Sequence, residues 1–287
     1  MPRDDLDLER RVSWFRDDPE QKLAFRGGRF TRVNTWCALV LGIVGTCGFY
    51  GVMVPLRNTY FAVSFTQRGY VPYAIVFFSF WSLAIIVLKH FKLRLQRQSL
   101  DVQILPGDPQ FVLTPSTSRE VTQRIDAACD DPARFLLFNR IEVALSNLRN
   151  LGRVTDVDEI LRSQASSDES GMETSYALLQ TFIWAIPVLG FIGTVEGLAK
   201  SVGGFGDVLA TTKELAQIKD SLKVVTGGLS IAFETTLQGL LAALVIQLLV
   251  TALKKAEEEF LDDCSEYCVR NIVGRLKLTA IEPAEGA

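Results

Sequence analysis

One histidine, five cysteines and three methionines are all that 287 residues offer to a soft metal. A zinc site would have to recruit carboxylates, so Cys264 and Cys268, four apart on an expected helix, read as structural thiols, as do Cys37, Cys47 and Cys129. The chain has no glycine-rich phosphate loop, no serine–histidine–carboxylate pattern and no sustained basic tract. These absences argue against nucleotide hydrolysis, triad catalysis and nucleic-acid binding, and neither enzymatic activity nor a cofactor is expected. The first 33 residues are densely charged and lack an apolar h-region, so no cleavable signal peptide is expected there. Aspartate is also missing from every long apolar run.

What the chain has in quantity is apolar length. Mean hydropathy is +0.20, 48% of residues are hydrophobic and 18 are phenylalanine, which points to a membrane class before any motif is weighed. Crossing ~30 Å of hydrocarbon takes roughly 20 apolar residues. Four runs are long enough, at 36–56, 72–88, 178–201 and 229–253. The expected fold is all-α: an integral membrane protein with four transmembrane helices, a helical cytoplasmic insert and a long C-terminal cytoplasmic helix. Lys and Arg crowd the segment before the first run, the segment after the second (Lys89, Lys92, Arg94, Arg97) and the end of the fourth (Lys254, Lys255). The link between the first two runs holds only Arg57 and Arg68. The positive-inside rule therefore places both termini and the middle segment in the cytoplasm, with Lys213, Lys219 and Lys223 between the last two runs pulling the other way.

Five regions follow. Residues 1–33 form an amphipathic arm with Leu6, Val12, Trp14 and Phe15 among charges, and 34–90 hold the first two spans. Residues 91–175 are a cytoplasmic helical region, 176–254 hold the last two spans, and 255–287 form a C-terminal helix and tail. In the first span Gly42, Gly45, Gly48 and Gly51 repeat every three residues, a smooth stripe for close helix approach. His90, ending the second span, reads as an interface residue reaching for water. The proline-rich 105–115 reads as a loop. Helical spacing covers 119–129 and 132–151, the latter with Phe135, Phe138, Ile141, Leu145 and Leu148 on one face behind the start signal Asp131–Pro132. A short helix is expected at 156–163 and a polar break at 166–170. The fourth run meets no breaker from 222 to 276, a helix of roughly 80 Å at 1.5 Å per residue.

The third and fourth runs carry small polar residues where apolar ones are the rule: IPVLGFIGTVEGLAKSV at 186–202 and GGLSIAFETTLQGLLAALVIQLL at 227–249. Counted from the cytoplasmic ends, Thr194 and Thr236 both lie roughly 22–26 Å deep on antiparallel helices. Two hydroxyls at one depth either line a polar track for an ion or bond only their own backbone while filling a gap. Glu196 and Glu234 stand two residues from the threonines, about 200° around the helix, and so do not face the same lumen. Lys200 is one turn past Glu196. These charges form either an intramembrane charge network or a carboxylate staging post beside the path.

The third run spells P-x-x-G-x-x-G-T-V-x-G with Pro187, Gly190, Gly193, Thr194, Val195 and Gly197, and the fourth carries Thr235, Thr236, Gly239 and Leu240, continued by Ala242 and Ala243. In these motifs the chain resembles the MotA/TolQ/ExbB family of ion-channel subunits. Its layout of two spans, an insert and two more spans looks like MotA, whereas the third-span motif is that of ExbB and TolQ, which have three spans. Residues 91–175 show no match beyond their place in the topology. Many ExbB and TolQ proteins carry a glutamate five residues before the fourth-span threonine. Ile231 stands there in this chain, so that role does not carry over to Glu234.

The resemblance implies a homopentamer in the bacterial inner membrane, closed around a dimer of a single-span MotB/TolR/ExbD-like partner. The partner's aspartate would carry H+ or Na+ while one ring turns against the other, which suits a chain whose own spans lack aspartate. By the same resemblance Thr194, Thr236 and Thr235 mark the ion path, and Pro187, Gly190, Gly193, Gly197 and Gly239 form the helix-packing motif. The rival readings are a partner-independent channel or transporter using Glu196 and Glu234, and a structural membrane scaffold.

Overall fold

The computed structural model describes residues 12–106, 111–114, 116–148, 154–211 and 215–277. Leu6, Lys213, residues 107–110, Pro115, and residues 149–153 and 278–287, all of which entered the sequence reading, lie outside the described residues. Among the described residues there is no strand, only two isolated backbone bridges, Val12 to Cys129 and Leu113 to Leu276. In chain order the helices are α1 (Trp14–Asp17), α2 (Pro19–Lys22), α3 (Thr35–Met53), α4 (Tyr60–Thr66), α5 (Val71–Arg97), α6 (Ser118–Ala128), α7 (Leu136–Asn147), α8 (Val154–Ser175), α9 (Ala177–Thr211) and α10 (Leu215–Tyr267). Among the described residues four stretches are long and apolar enough to cross a membrane: Thr35–Met53, Val71–Asp101, Asp156–Gly203 and Val225–Arg275. The chain divides into two compact units, one of Thr35–Val87 with Tyr176–Ala252, the other of Met1–Asn34, Leu88–Ser175 and Leu253–Ala287.

The first unit gathers the apolar helices. α3 is apolar nearly all round, and the Thr46 hydroxyl in its interior bonds the Gly42 carbonyl one turn back at 2.7 Å. The helix stops at Met53, just before Val54 and Pro55, where the proline disfavours a helical predecessor. The short α4, capped by Thr59, was not separable from its apolar neighbours by sequence. Gly69, at φ +89°, turns the chain into α5, whose second residue is Pro72. The glycine stripe is used over half its length. A Cβ on Gly42 would stand 2.8 Å from the Trp81 backbone and one on Gly45 would stand 2.7 Å from the Phe80 ring, whereas Gly48 and Gly51 face open space.

The second unit has a conventional apolar core. Phe135, Phe138, Ile141, Leu145 and Leu148 are all buried, as their helical spacing requires, and Trp14 meets Phe135 edge-on at 5.6 Å. The arm that carries Trp14 is pinned by Asp130, which accepts from the Trp14 amide at 2.7 Å, the Phe15 amide at 3.0 Å and the Ser13 hydroxyl at 2.7 Å. Burial opposes the charge on Asp130, yet these bonds together outweigh it and hold its carboxyl below the ordinary range. Three buried cations among the described residues carry ion pairs: Lys92 with Glu20 and, at 3.8 Å, Asp18; Lys89 with Glu257 at 3.1 Å; and Arg140 with Asp168 at 2.6 Å. All five cysteines are free and only Cys47 is exposed; burial pushes the Cys129 thiol up to about 12.

Two local expectations change. The short helix at 156–163 and the break at 166–170 are one unbroken helix, α8. The polar run is its outer face: Ser166, Ser167, Glu169 and Ser170 are exposed, while Asp168 turns inward to Arg140. α10 begins at Leu215, ahead of the expected 222, and the chain then passes through a π-helical turn, Cys268–Ile272, and a 3₁₀ turn, Val273–Arg275. His90 is exposed and edge-on to Phe91.

Candidate functional site

The polar residues of the third and fourth spans meet because their helices touch backbone to backbone. α9 and α10 run antiparallel, and glycines set their spacing. A Cβ on Gly190 would lie 2.9 Å from the Thr235 carbonyl oxygen and 3.1 Å from the Thr236 Cα; one on Gly239 would lie 3.0 Å from the Ile186 oxygen. Gly197 faces the Gly228 carbonyl in the same way, and Gly193 receives the Thr235 side chain. Small residues at each crossing are what allows so close an approach. Pro187, inside α9, has no N–H for the Ile183 carbonyl one turn back.

At this closest approach Thr194 and Thr236 are hydrogen-bonded to one another through their Oγ1 atoms. Thr194 Oγ1 is also 3.3 Å from the Gly190 oxygen and 3.1 Å from the Ala232 oxygen, and Thr236 Oγ1 is 3.1 Å from the Gly190 oxygen. Two hydroxyls and two carbonyls thus converge from both helices. Each hydroxyl has one proton, so the cluster holds more acceptors than donors. It is a neutral, all-oxygen site, half-buried and without a carboxylate. Such groups can replace water around a small cation or pass a proton, but they bring no negative charge to hold either. Thr235 differs from its neighbours: it is fully buried, and its hydroxyl donates to the Ile231 carbonyl of its own helix at 2.9 Å. Further along the seam Ser201 Oγ lies 2.9 Å from both the Gly197 and Val225 oxygens.

The charged residues pair differently from the three-member network considered above. Glu196 and Lys200 bind each other at 2.8 Å along α9, with side chains 32% and 57% exposed. Glu234 is separate. It takes the Arg68 guanidinium in two bonds, at 2.8 Å from Nε and 2.9 Å from Nη2, and accepts from Tyr60 Oη at 2.9 Å and Ser230 Oγ at 2.7 Å. Arg68 and Tyr60 come from the link between the first two spans and were not among the sequence-predicted site residues. The available signal was Arg68 itself, one of only two charged residues in the link. No three His, Cys, Asp or Glu side chains gather into a metal-binding group among the described residues.

Four stretches long and apolar enough to cross a membrane, two of them packed through glycine around an oxygen cluster, fit a multi-pass membrane protein. Residues 135–266 match the model of the MotA/TolQ/ExbB proton channel family. No curated protein and no solved structure matches the chain. The family match reaches back to Phe135, through α7 and α8, so it covers part of 91–175 as well. Sequence motifs missed that part because it is specified by buried periodicity, with Phe135, Phe138 and Ile141 inward, and not by fixed polar or glycine positions.

Proposed function

We propose that the chain is the channel-forming subunit of a proton- or sodium-driven rotary motor, working in the bacterial inner membrane as a pentamer with a single-span partner. The family domain supports an ion-channel role in motor-like complexes. The observation that carries the finer reading is the Thr194–Thr236 contact, where hydroxyls from two antiparallel spans share one oxygen cluster. The cluster is neutral, so an ion needs its countercharge from elsewhere, and a partner's aspartate supplies one. Thr235 closes the seam behind the two path threonines. Trp184, Phe191, Val202, Phe233 and Leu240 stay exposed along α9 and α10, which suits faces covered by neighbouring copies and lipid. Glu234 is already held by Arg68 through two bonds, which argues against the partner-independent reading.

Thr194→Val and Thr236→Val test this by removing the hydroxyls and keeping side-chain shape. Losing one oxygen from a dry path costs an ion a few kcal/mol, so flux should fall by roughly ten- to a hundredfold for each. The readout is ion uptake by vesicles holding the chain and its partner, with ring assembly checked by native mass spectrometry. Full flux in the double valine variant would remove these residues from the path. Equal flux from the chain without any partner would replace the motor with a simple channel.

A further inference from the structure

The apolar unit holds a groove that the ion path does not use. Its volume is about 550 Å³, and its walls come from α3, α4, α5 and α10, with Phe49, Phe65, Phe80, Leu241, Val245 and Leu249 among them. On α10 it follows one face from Glu234 to Leu249. Fifteen steps at 1.5 Å each make it roughly 22 Å long. That is longer than one leaflet of a ~30 Å hydrocarbon core and the shape of a single extended chain.

Polarity in the groove is uneven. Ser79, on the α5 wall, is satisfied by its own helix at 2.6 Å. The unsatisfied group lies at the Glu234 end. There Gln238 spends its amide N–H on Ser64, at 3.0 Å from the carbonyl oxygen and 3.3 Å from the hydroxyl. Its Oε1 is buried with no hydrogen-bond partner among the described residues. A buried acceptor left without a donor is unfavourable, so this end calls for a donor from an occupant. Glu234 is one helical turn away, on the same face, and also lines the groove. Arg68, bound to Glu234, gives this end a cation beside the anion, and its Nη1 takes no part in the bonds to Glu234 and Ser230.

We propose that the groove is a lipid site, holding one acyl chain of a phospholipid whose head carries both a phosphate and a primary ammonium. The tail lies along Leu241 to Leu249. The ammonium donates to Glu234 and, once the Gln238 amide turns toward the groove its side chain lines, to Gln238 Oε1, while the phosphate faces Arg68. Charge complementarity at one end and an apolar channel of acyl length behind it both select such an amphiphile. A trimethylated head has no N–H to donate and leaves Gln238 unpaired. This site depends on the unit lying in a bilayer and is independent of the threonine path.

The test is native mass spectrometry of the assembled protein from nanodiscs holding equal parts of phosphatidylethanolamine, phosphatidylcholine and phosphatidylglycerol. The unaltered chain should retain the ethanolamine lipid about three- to tenfold over the choline lipid, the worth of one hydrogen bond. Ala242→Phe, which fills the groove wall, should abolish retention of all three, whereas Val44→Phe on the exposed face of α3 should not. Gln238→Leu should keep a bound lipid and lose the preference, which decides the matter even where Ala242→Phe fails to fold. Equal retention in the Ala242→Phe and Val44→Phe variants, or retention without head preference in the unaltered chain, overturns the proposal. So does a lipid-free ring that Ala242→Phe breaks apart, since a second copy of the chain then fills the groove.

Discussion

Placing one methyl group on Gly190 probes the α9–α10 seam more sharply than removing any side chain. Its Cβ would stand 2.9 Å from the Thr235 oxygen and 3.1 Å from the Thr236 Cα, and both obstacles are backbone, which yields only if a helix moves. Overpacking of this kind costs about 1–3 kcal/mol. Alanine also gains up to about 1 kcal/mol over glycine in a helix interior, which would blur a comparison with the unaltered chain. Gly48 removes the ambiguity. It lies in α3 with nothing within 4 Å of its would-be Cβ, so Gly48→Ala takes the helical gain without the clash. The difference between the two alanine variants isolates the seam and should be about 1–3 kcal/mol in favour of Gly48→Ala. At roughly 3 °C per kcal/mol for a chain of this length, that separates their melting points by about 3–9 °C. Thermal melting of the purified protein, followed by the fluorescence of the four tryptophans, measures it. Because Thr194 is one turn from Gly190, parting the helices also separates the paired hydroxyls, so on the proposed ion path flux should fall in Gly190→Ala where the protein still assembles. Coincident melting of the two variants would mean the seam tolerates a methyl group and that the glycines do not set its spacing.

Arg140→Met strands Asp168, whose side chain is 4% exposed, and should cost about 3–5 kcal/mol in denaturant unfolding; adding Asp168→Leu should recover most of it, and an undiminished loss in the double variant would refute the pairing. Asp130 has a folded pKa below its ordinary value, so its contribution is full above 3.8 and drains away as pH falls through the folded value. Asp130→Asn should therefore lose less melting temperature than the unaltered chain between neutral pH and pH below 3.8, and equal losses would show that the arm is held without that charge.

The helical class, the four apolar stretches and the α7 core face were legible in the sequence, because they follow from length and periodicity, which are local. The same is true of the Glu196–Lys200 pair, four residues apart on one helix. Boundaries were less legible. The polar run at 166–170 looked like a break because composition alone does not tell a solvated helix face from a loop; Asp168 turning to Arg140 settles it.

By itself the sequence determined what can cross a membrane and which spans carry glycine, threonine and glutamate, because transfer from water and helical spacing depend only on residue type and order. Only the tertiary structure decided which of those groups meet. Thr235 and Thr236 are adjacent, yet a step of about 100° around the helix sends one into the seam on Gly193 and the other to Thr194. Glu234 is 166 residues from Arg68, and the fold makes them a pair at 2.8 Å. A long-range contact of that kind is set by how whole helices pack, and the identity of either residue alone does not reveal it.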